Sequence, residues 1–186
     1  MNILHKEILR LAVPSILANI TVPLVGIVGI AVAGHLEGDA PVLIGGMSIG
    51  TLLFDLLYWN FSFLRIGTGG MTAQAYGRGD MKAAAGTLIR AVGVSMSIAL
   101  ICILIQWIFV DFVFLFVESS PAVRTLAESY FHIRIWAAPA TLTLMALKGW
   151  FIGMQDSISP MLTDLIVNAM NIVGSICLSM GVAAVG

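Results

Sequence analysis

Long apolar segments with few charges constrain the fold of this 186-residue chain more than any other feature. A helix needs about 20 residues to cross the hydrocarbon core of a bilayer, which is about 30 Å thick. Five segments meet that requirement, at about residues 9–34, 43–70, 87–110, 122–147 and 159–182. A backbone that faces lipid must satisfy its own hydrogen bonds, and these segments lack the alternating pattern of barrel strands. We therefore predict an all-α integral membrane bundle of about five transmembrane helices.

The composition agrees with a protein that has lipid for part of its solvent. Charged residues make up 10% of the chain, whereas a soluble domain carries about a quarter. A net charge of −1 indicates no nucleic-acid partner. Both cysteines lie in apolar runs, the three histidines are scattered, and no hydrolase or metal motif occurs. We expect a protein that is not an enzyme and has neither a metal site nor a cofactor.

Basic residues predict how the chain is oriented in the membrane. Six of the nine lie at joints that share one side of a five-span bundle: Lys6, Arg10, Arg78, Lys82, Arg90 and Lys148. The joints on the other side carry mainly acidic residues, and Arg124 is the basic residue near them. Because loops rich in lysine and arginine stay in the cytoplasm, we expect a cytoplasmic N-terminus.

Asp55 is a carboxylate in a stretch that is otherwise almost wholly apolar, LLFDLLYWNFSFLR. Polar residues recur around it at intervals of three and four, the spacing of one helix face. They are Ser48, Thr51, Asp55, Tyr58, Ser62 and Arg65. A charge at mid-bilayer costs about 2.5–3.5 kcal/mol, so Asp55 is expected to face a bundle interior or a water-filled cavity.

A second polar face runs along the fifth segment, at intervals of four, three and four: Asp164, Asn168, Asn171 and Ser175. Such residues either join helices, at about 0.6 kcal/mol for each hydrogen bond, or line a cavity. We favour function for Asp55 and Asp164, because neutral residues join helices at a lower desolvation cost. The candidates for lining a cavity or contacting substrate are Asn19, Tyr58, Ser62, Asn168, Asn171 and Ser175.

An ion pair is the alternative for Asp55. Arg65 lies ten residues along the same segment, roughly 15 Å along the helix axis, which is too far for contact within one helix. Arg134 in the fourth segment is a better partner if the two helices are adjacent. A paired Asp55 would be structural, whereas an unpaired one could exchange protons.

Small residues and prolines indicate how the segments pack and bend. Gly46-xxx-Gly50 and Gly149-xxx-Gly153 allow helix backbones to approach closely. Pro139 in the fourth segment and Pro23 in the first lack an N–H and permit a bend.

The chain resembles multidrug and toxic compound extrusion (MATE) transporters, in particular their DinF-like branch. Four stretches carry the resemblance: residues 12–36 with the ending Gly34-His35-Leu36, residues 63–77, residues 149–160 and the N-x-x-N-I run at 168–172. The resemblance implies two lobes of six helices around a central cavity. This chain would be most of the N-terminal lobe, and its missing partner would be the C-terminal lobe. The small apolar ending at residues 181–186 also suggests a chain that has been cut off.

Two positions depart from the family pattern. Members often carry one acid in the first helix and another four residues after the second asparagine of the N-x-x-N run. Here those positions hold Gly29 and Ser175, although Asn171 still matches a position implicated in the cavity. Asp55 and Asp164 are therefore the nearest candidates for ion coupling.

The resemblance implies an antiporter, coupled to H⁺ or Na⁺, that exports drugs or other small organic compounds across the bacterial inner membrane. Its partners would be the lipid bilayer and a small organic substrate. Two alternatives stay open. One is a flippase of related fold for lipid-linked saccharides, which would carry more basic residues in its cavity. The other is a non-transporting membrane scaffold or an inactive fragment.

Overall fold

The computed structural model of the protein describes residues 12, 13, 16, 20, 23–34 and 39–185, the last six without their side chains. These residues form helices joined by short turns. They are α1 (Pro23–Gly34), α2 (Ala40–Trp59), α3 (Phe63–Gly77), α4 (Met81–Phe114), α5 (Pro121–Arg134), α6 (Ala138–Gly153) and α7 (Ile158–Val185). No described residue forms a strand, and the predicted all-α class is confirmed.

Four helical stretches of the described chain are long and apolar enough to cross a membrane: Ala40–Gly77, Met81–Phe114, Pro121–Gly153 and Ile158–Ser179. The chain is therefore a multi-pass membrane protein. α1 is apolar but shorter. Most of the predicted first segment before Pro23 lies outside the described residues.

The chain forms two compact units. The central unit is Gly45–Met154, and the terminal unit consists of Met1–Ile44 and Gln155–Gly186. In the central unit, α6 packs against α3 and α4, and these two helices also contact each other. Phe131 of α5 anchors the core, because its ring stacks on Phe54 and on Phe109 with centroids 4.7 and 5.7 Å apart.

Glycines set the closest approach of α3 and α6. A Cβ atom on Gly149 would overlap the carbonyl oxygen of Arg65, and one on Gly153 would lie 2.6 Å from the carbonyl oxygen of Gly69. Both neighbours are backbone atoms, which cannot move without moving a helix. The predicted role of the Gly149-xxx-Gly153 motif in close helix packing is confirmed.

The second glycine motif packs α2 against α5. A Cβ on Gly46 would lie 2.6 Å from Leu126, and one on Gly50 would lie 2.5 Å from the ring of Tyr130. These neighbours are side chains, so this contact is more adaptable than the one between α3 and α6. The motif nevertheless places the ring of Tyr130 directly against α2.

The helix is interrupted just before Pro139, at the 3₁₀ turn Ile135–Ala137 that joins α5 to α6. Proline has no N–H to donate to the carbonyl of the residue four positions back, here Ile135. The Ala138 N–H bonds to that carbonyl instead, which tightens the turn. The proline therefore explains why the fourth apolar segment is two helices.

The turn between α3 and α4 has an ordinary structural role. Gly79 adopts a positive φ of 73°, which glycine tolerates without a steric penalty. Asp80 then caps α4, because its Oδ1 accepts a hydrogen bond of 2.9 Å from the Ala83 N–H. In the terminal unit, Asp156 caps α7 in a related way and accepts from the N–H groups of Ile158 and Ser159 at 3.0 and 3.1 Å.

Candidate functional site: the polar face of α2, α5 and α6

α2 has a buried face and a polar face. The buried residues are Gly46, Gly50, Leu53, Phe54 and Leu57. Ser48, Thr51 and Asp55 lie on the other side and are exposed. Residues three and four apart share one side of a helix, so the spacing in the sequence identified this face correctly as far as Tyr58. Asp55 therefore lies on a polar surface that points away from the core of the central unit.

This polar face does not continue as one helix to Arg65, and that expectation is wrong. α2 ends at Trp59, residues 60–62 form a turn, and α3 follows. The Asn60 side chain donates a hydrogen bond of 2.6 Å to the Leu56 carbonyl, in competition with the helical backbone. Ser62 consequently lies in the turn, and Arg65 lies in the first turn of α3.

Arg134 of α5 packs against aromatic side chains of α2 and α5. Its Nη1 donates a hydrogen bond of 2.6 Å to the Tyr130 hydroxyl oxygen one turn earlier. The guanidinium carbon lies 4.8 Å from the centroid of the Phe54 ring and 5.6 Å from that of Tyr130, in cation–π range. The Tyr58 side chain forms a hydrogen bond with Thr141 of α6 and lies close enough to Arg134 for an electrostatic interaction. We call the resulting group the Arg134 cluster; its members are Phe54, Tyr58, Tyr130, Arg134 and Thr141.

Asp55 has no ion pair with any described residue, and neither arginine proposed as its partner is within 4 Å of its carboxylate. Arg134 interacts with aromatic rings instead, and Arg65 is exposed on α3. The carboxylate is thus exposed on a membrane-spanning helix and has no ion pair among the described residues.

The candidates on α7 lie in the terminal unit. Asp164, Asn168 and Ser175 are half-buried there, whereas Asn171 is exposed. They share one side of a helix that runs uninterrupted over Ile158–Val185, as their spacing predicts. Asp164 and Asn168 both have interaction partners. Asn19 lies outside the described residues.

The other arginine of α5 has carboxylate partners. Arg124 Nε donates to Glu128 at 2.7 Å, and its Nη2 lies 3.4 Å from Asp111 of α4. The Arg124 side chain is 44% exposed, and exposed pairs of this kind contribute about 0–1 kcal/mol to stability. Arg124 therefore has neighbouring carboxylates, whereas Arg134 has none within 4 Å among the described residues.

Tyr130 and Thr141 belong to the site although no polar stripe in the sequence marks them. The usable signal was the spacing of Tyr130 and Arg134, since residues four apart on a helix are neighbours. Phe54 was less accessible to sequence reasoning, because its place under the guanidinium depends on how α2 packs against α5.

Two comparisons connect the chain to known proteins. Residues 14–177 match the family model described as MatE, a range that includes α2, α5 and α6. DNA damage-inducible protein F of Escherichia coli (strain K12) is 38% identical over 176 residues. That alignment covers 95% of this chain and 38% of the relative, so the chain spans less than half the length of that protein.

Proposed function

Because the chain belongs to the MatE family, we propose that it is part of an ion-coupled antiporter that exports drugs or other small organic compounds. The observation that supports this most strongly is the environment of Asp55. Its carboxylate is exposed about one turn before the end of the apolar helix α2 and has no described ionic partner. Ionisable residues in membrane segments generally face a pathway or a partner, because their burial in lipid is costly.

We propose that Asp55 binds the coupling ion, H⁺ or Na⁺, in exchange for the substrate. A ligand shifts a conformational equilibrium only as far as its affinity differs between the two states. The ion on Asp55 and the substrate must therefore favour opposite states of the transporter. Asp164 is the second candidate for ion coupling. The residues proposed to line the cavity are Asn19, Tyr58, Ser62, Asn168, Asn171 and Ser175.

We propose that the protein lies in the bacterial inner membrane with a cytoplasmic N-terminus. The basic residues at the α3–α4 joint support this orientation. Single cysteines at Arg78 and Ser120 test it, in a chain whose own Cys102 and Cys177 are replaced by serine. A membrane-impermeant maleimide added to spheroplasts should label position 120, whereas position 78 should require lysis. The reverse labelling pattern would overturn the orientation.

Transport by the complete protein in proteoliposomes tests the proposed activity. An imposed H⁺ or Na⁺ gradient should drive the exchange of an organic substrate, and an ionophore that collapses that gradient should stop it. A panel of lipophilic organic cations serves as the first set of substrates. Substrate movement equal to that of empty liposomes under both gradients, across the panel, would contradict the proposal.

A further inference from the structure

Arg134 has an unusual set of neighbours for an arginine in an apolar helical segment. Burying a charge away from water normally requires an opposite charge and several hydrogen bonds. Arg134 has no carboxylate within 4 Å among the described residues, although Arg124 on the same helix has two. Instead, its guanidinium lies over the rings of Phe54 and Tyr130.

The hydrogen bonds of Arg134 leave donors available at its exposed edge. A guanidinium carries five N–H donors, and the described side-chain partner, the Tyr130 hydroxyl, accepts one of them at 2.6 Å. Because the Tyr130 oxygen accepts that bond, its own O–H can donate elsewhere. Stacking on Phe54 covers a face of the guanidinium but not the N–H groups at its edge. Arg134 and Tyr130 thus offer adjacent donors, and the Arg134 side chain is exposed.

The surroundings indicate what kind of molecule could use these donors. A planar guanidinium fork matches the oxygens of a carboxylate, a sulfonate or a phosphate. Exposed apolar side chains lie next to Arg134 in the sequence, since Ile133 is 77% exposed and Trp136 is 67% exposed. A ligand that reaches Arg134 along such a surface needs an apolar body as well as an acidic head group.

We propose that Arg134 and Tyr130 form an anion-binding site that takes the acidic head group of an amphipathic molecule. Phe54 holds the guanidinium in place from below, and Tyr130 orients it through the hydrogen bond. The site can be tested without ion-coupled export, because anion binding needs no ion gradient and no transport.

Binding of 8-anilinonaphthalene-1-sulfonate, an aromatic sulfonate whose fluorescence rises on binding, measures the site. The 186-residue chain is placed in phosphatidylcholine nanodiscs, and the signal of empty nanodiscs is subtracted. Arg134→Gln keeps a donor for Tyr130 but removes the charge, and it should weaken binding about tenfold, the loss expected for one charged hydrogen bond. Tyr130→Phe should weaken binding severalfold, because it removes the hydroxyl that bonds to Arg134.

Two controls separate this site from general effects. Arg124→Gln removes the same charge from the same helix and should leave binding unchanged. N-phenyl-1-naphthylamine, which lacks the sulfonate, should bind the parent chain and Arg134→Gln equally, because it offers no anion to the guanidinium. Equal sulfonate binding by the parent chain and Arg134→Gln would overturn the proposal, as would an equal loss in Arg124→Gln.

The source of the head group is distinguished by lipid composition. The same pair of chains is compared in nanodiscs that also contain phosphatidylglycerol. If the head group of an anionic lipid occupies the site, the tenfold difference between the parent chain and Arg134→Gln should shrink toward onefold. If the site takes a free amphipathic anion, the difference should persist. Either result is consistent with an anion-binding site at Arg134 and identifies the kind of molecule that occupies it.

Discussion

Replacement of Gly149 by alanine is expected to lower the free energy of unfolding of the chain by about 3 kcal/mol, at the upper end of the cost of overpacking. The new methyl group would overlap the carbonyl oxygen of Arg65, a backbone atom of α3. To relieve that overlap, α3 and α6 would have to separate at the interface that they share. Since proteins are stable by only about 5–15 kcal/mol, the loss is a large part of the total.

The chain contains a built-in reporter for this measurement. Cys102 is 2% exposed in the core of the central unit, whereas Cys177 is exposed. In a Cys177→Ser background, a thiol-reactive dye should react with Cys102 only when the core opens. The midpoint of the reaction against temperature or added dodecyl sulfate then reports the stability of the core.

Gly93→Ala on α4 is the matched control. A Cβ at Gly93 meets no atom within 4 Å, so the same substitution should stabilise its helix by up to about 1 kcal/mol. Gly153→Ala should resemble Gly149→Ala, because its Cβ would lie 2.6 Å from the Gly69 carbonyl oxygen. Equal midpoints for Gly149→Ala and Gly93→Ala would contradict the backbone contact described between α3 and α6.

The local chemistry of the sequence predicted the helical class and the two glycine contacts. Long uncharged segments leave few options other than membrane helices. A pair of glycines four residues apart removes the side chains from one side of a helix, so another element can approach there. Gly46-xxx-Gly50 and Gly149-xxx-Gly153 are both used in this way.

The break after Trp59 was not predicted from the sequence. Asn60 fits the apolar segment by position, and only its bond to the Leu56 carbonyl shows how it competes with the helix. The neighbours of Arg134 were not predicted either, for a different reason. Spacing cannot tell whether an arginine meets a carboxylate or an aromatic ring on the facing helix, since that depends on the register between the helices. The polar face on α7 follows its spacing, but its relation to Asp55 stays a prediction.

Asp55→Asn in the complete transporter is expected to reduce ion-driven export by about tenfold or more. Asparagine keeps the size of the side chain but cannot carry the charge that binds a cation. The loss of one charged interaction costs about 1.5–3 kcal/mol, which corresponds to about 10- to 150-fold. Because Asp55 is exposed and has no ionic partner among the described residues, its neutralisation should leave the fold intact.

Asp80→Asn is the control for this substitution. It removes the same charge at an exposed helix cap, where asparagine caps about as well as aspartate. Export should therefore match that of the parent protein. A loss of export in both variants would point to net charge or expression rather than to ion binding at Asp55.

The most direct measurement compares two modes of transport by the same Asp55→Asn protein in proteoliposomes. One mode is export driven by an imposed ion gradient, and the other is exchange of labelled for unlabelled substrate without a gradient. If Asp55 couples the ion to export, the variant should lose gradient-driven export while substrate exchange persists. Gradient-driven export at the level of the parent protein, at equal protein content, would contradict the proposed role of Asp55.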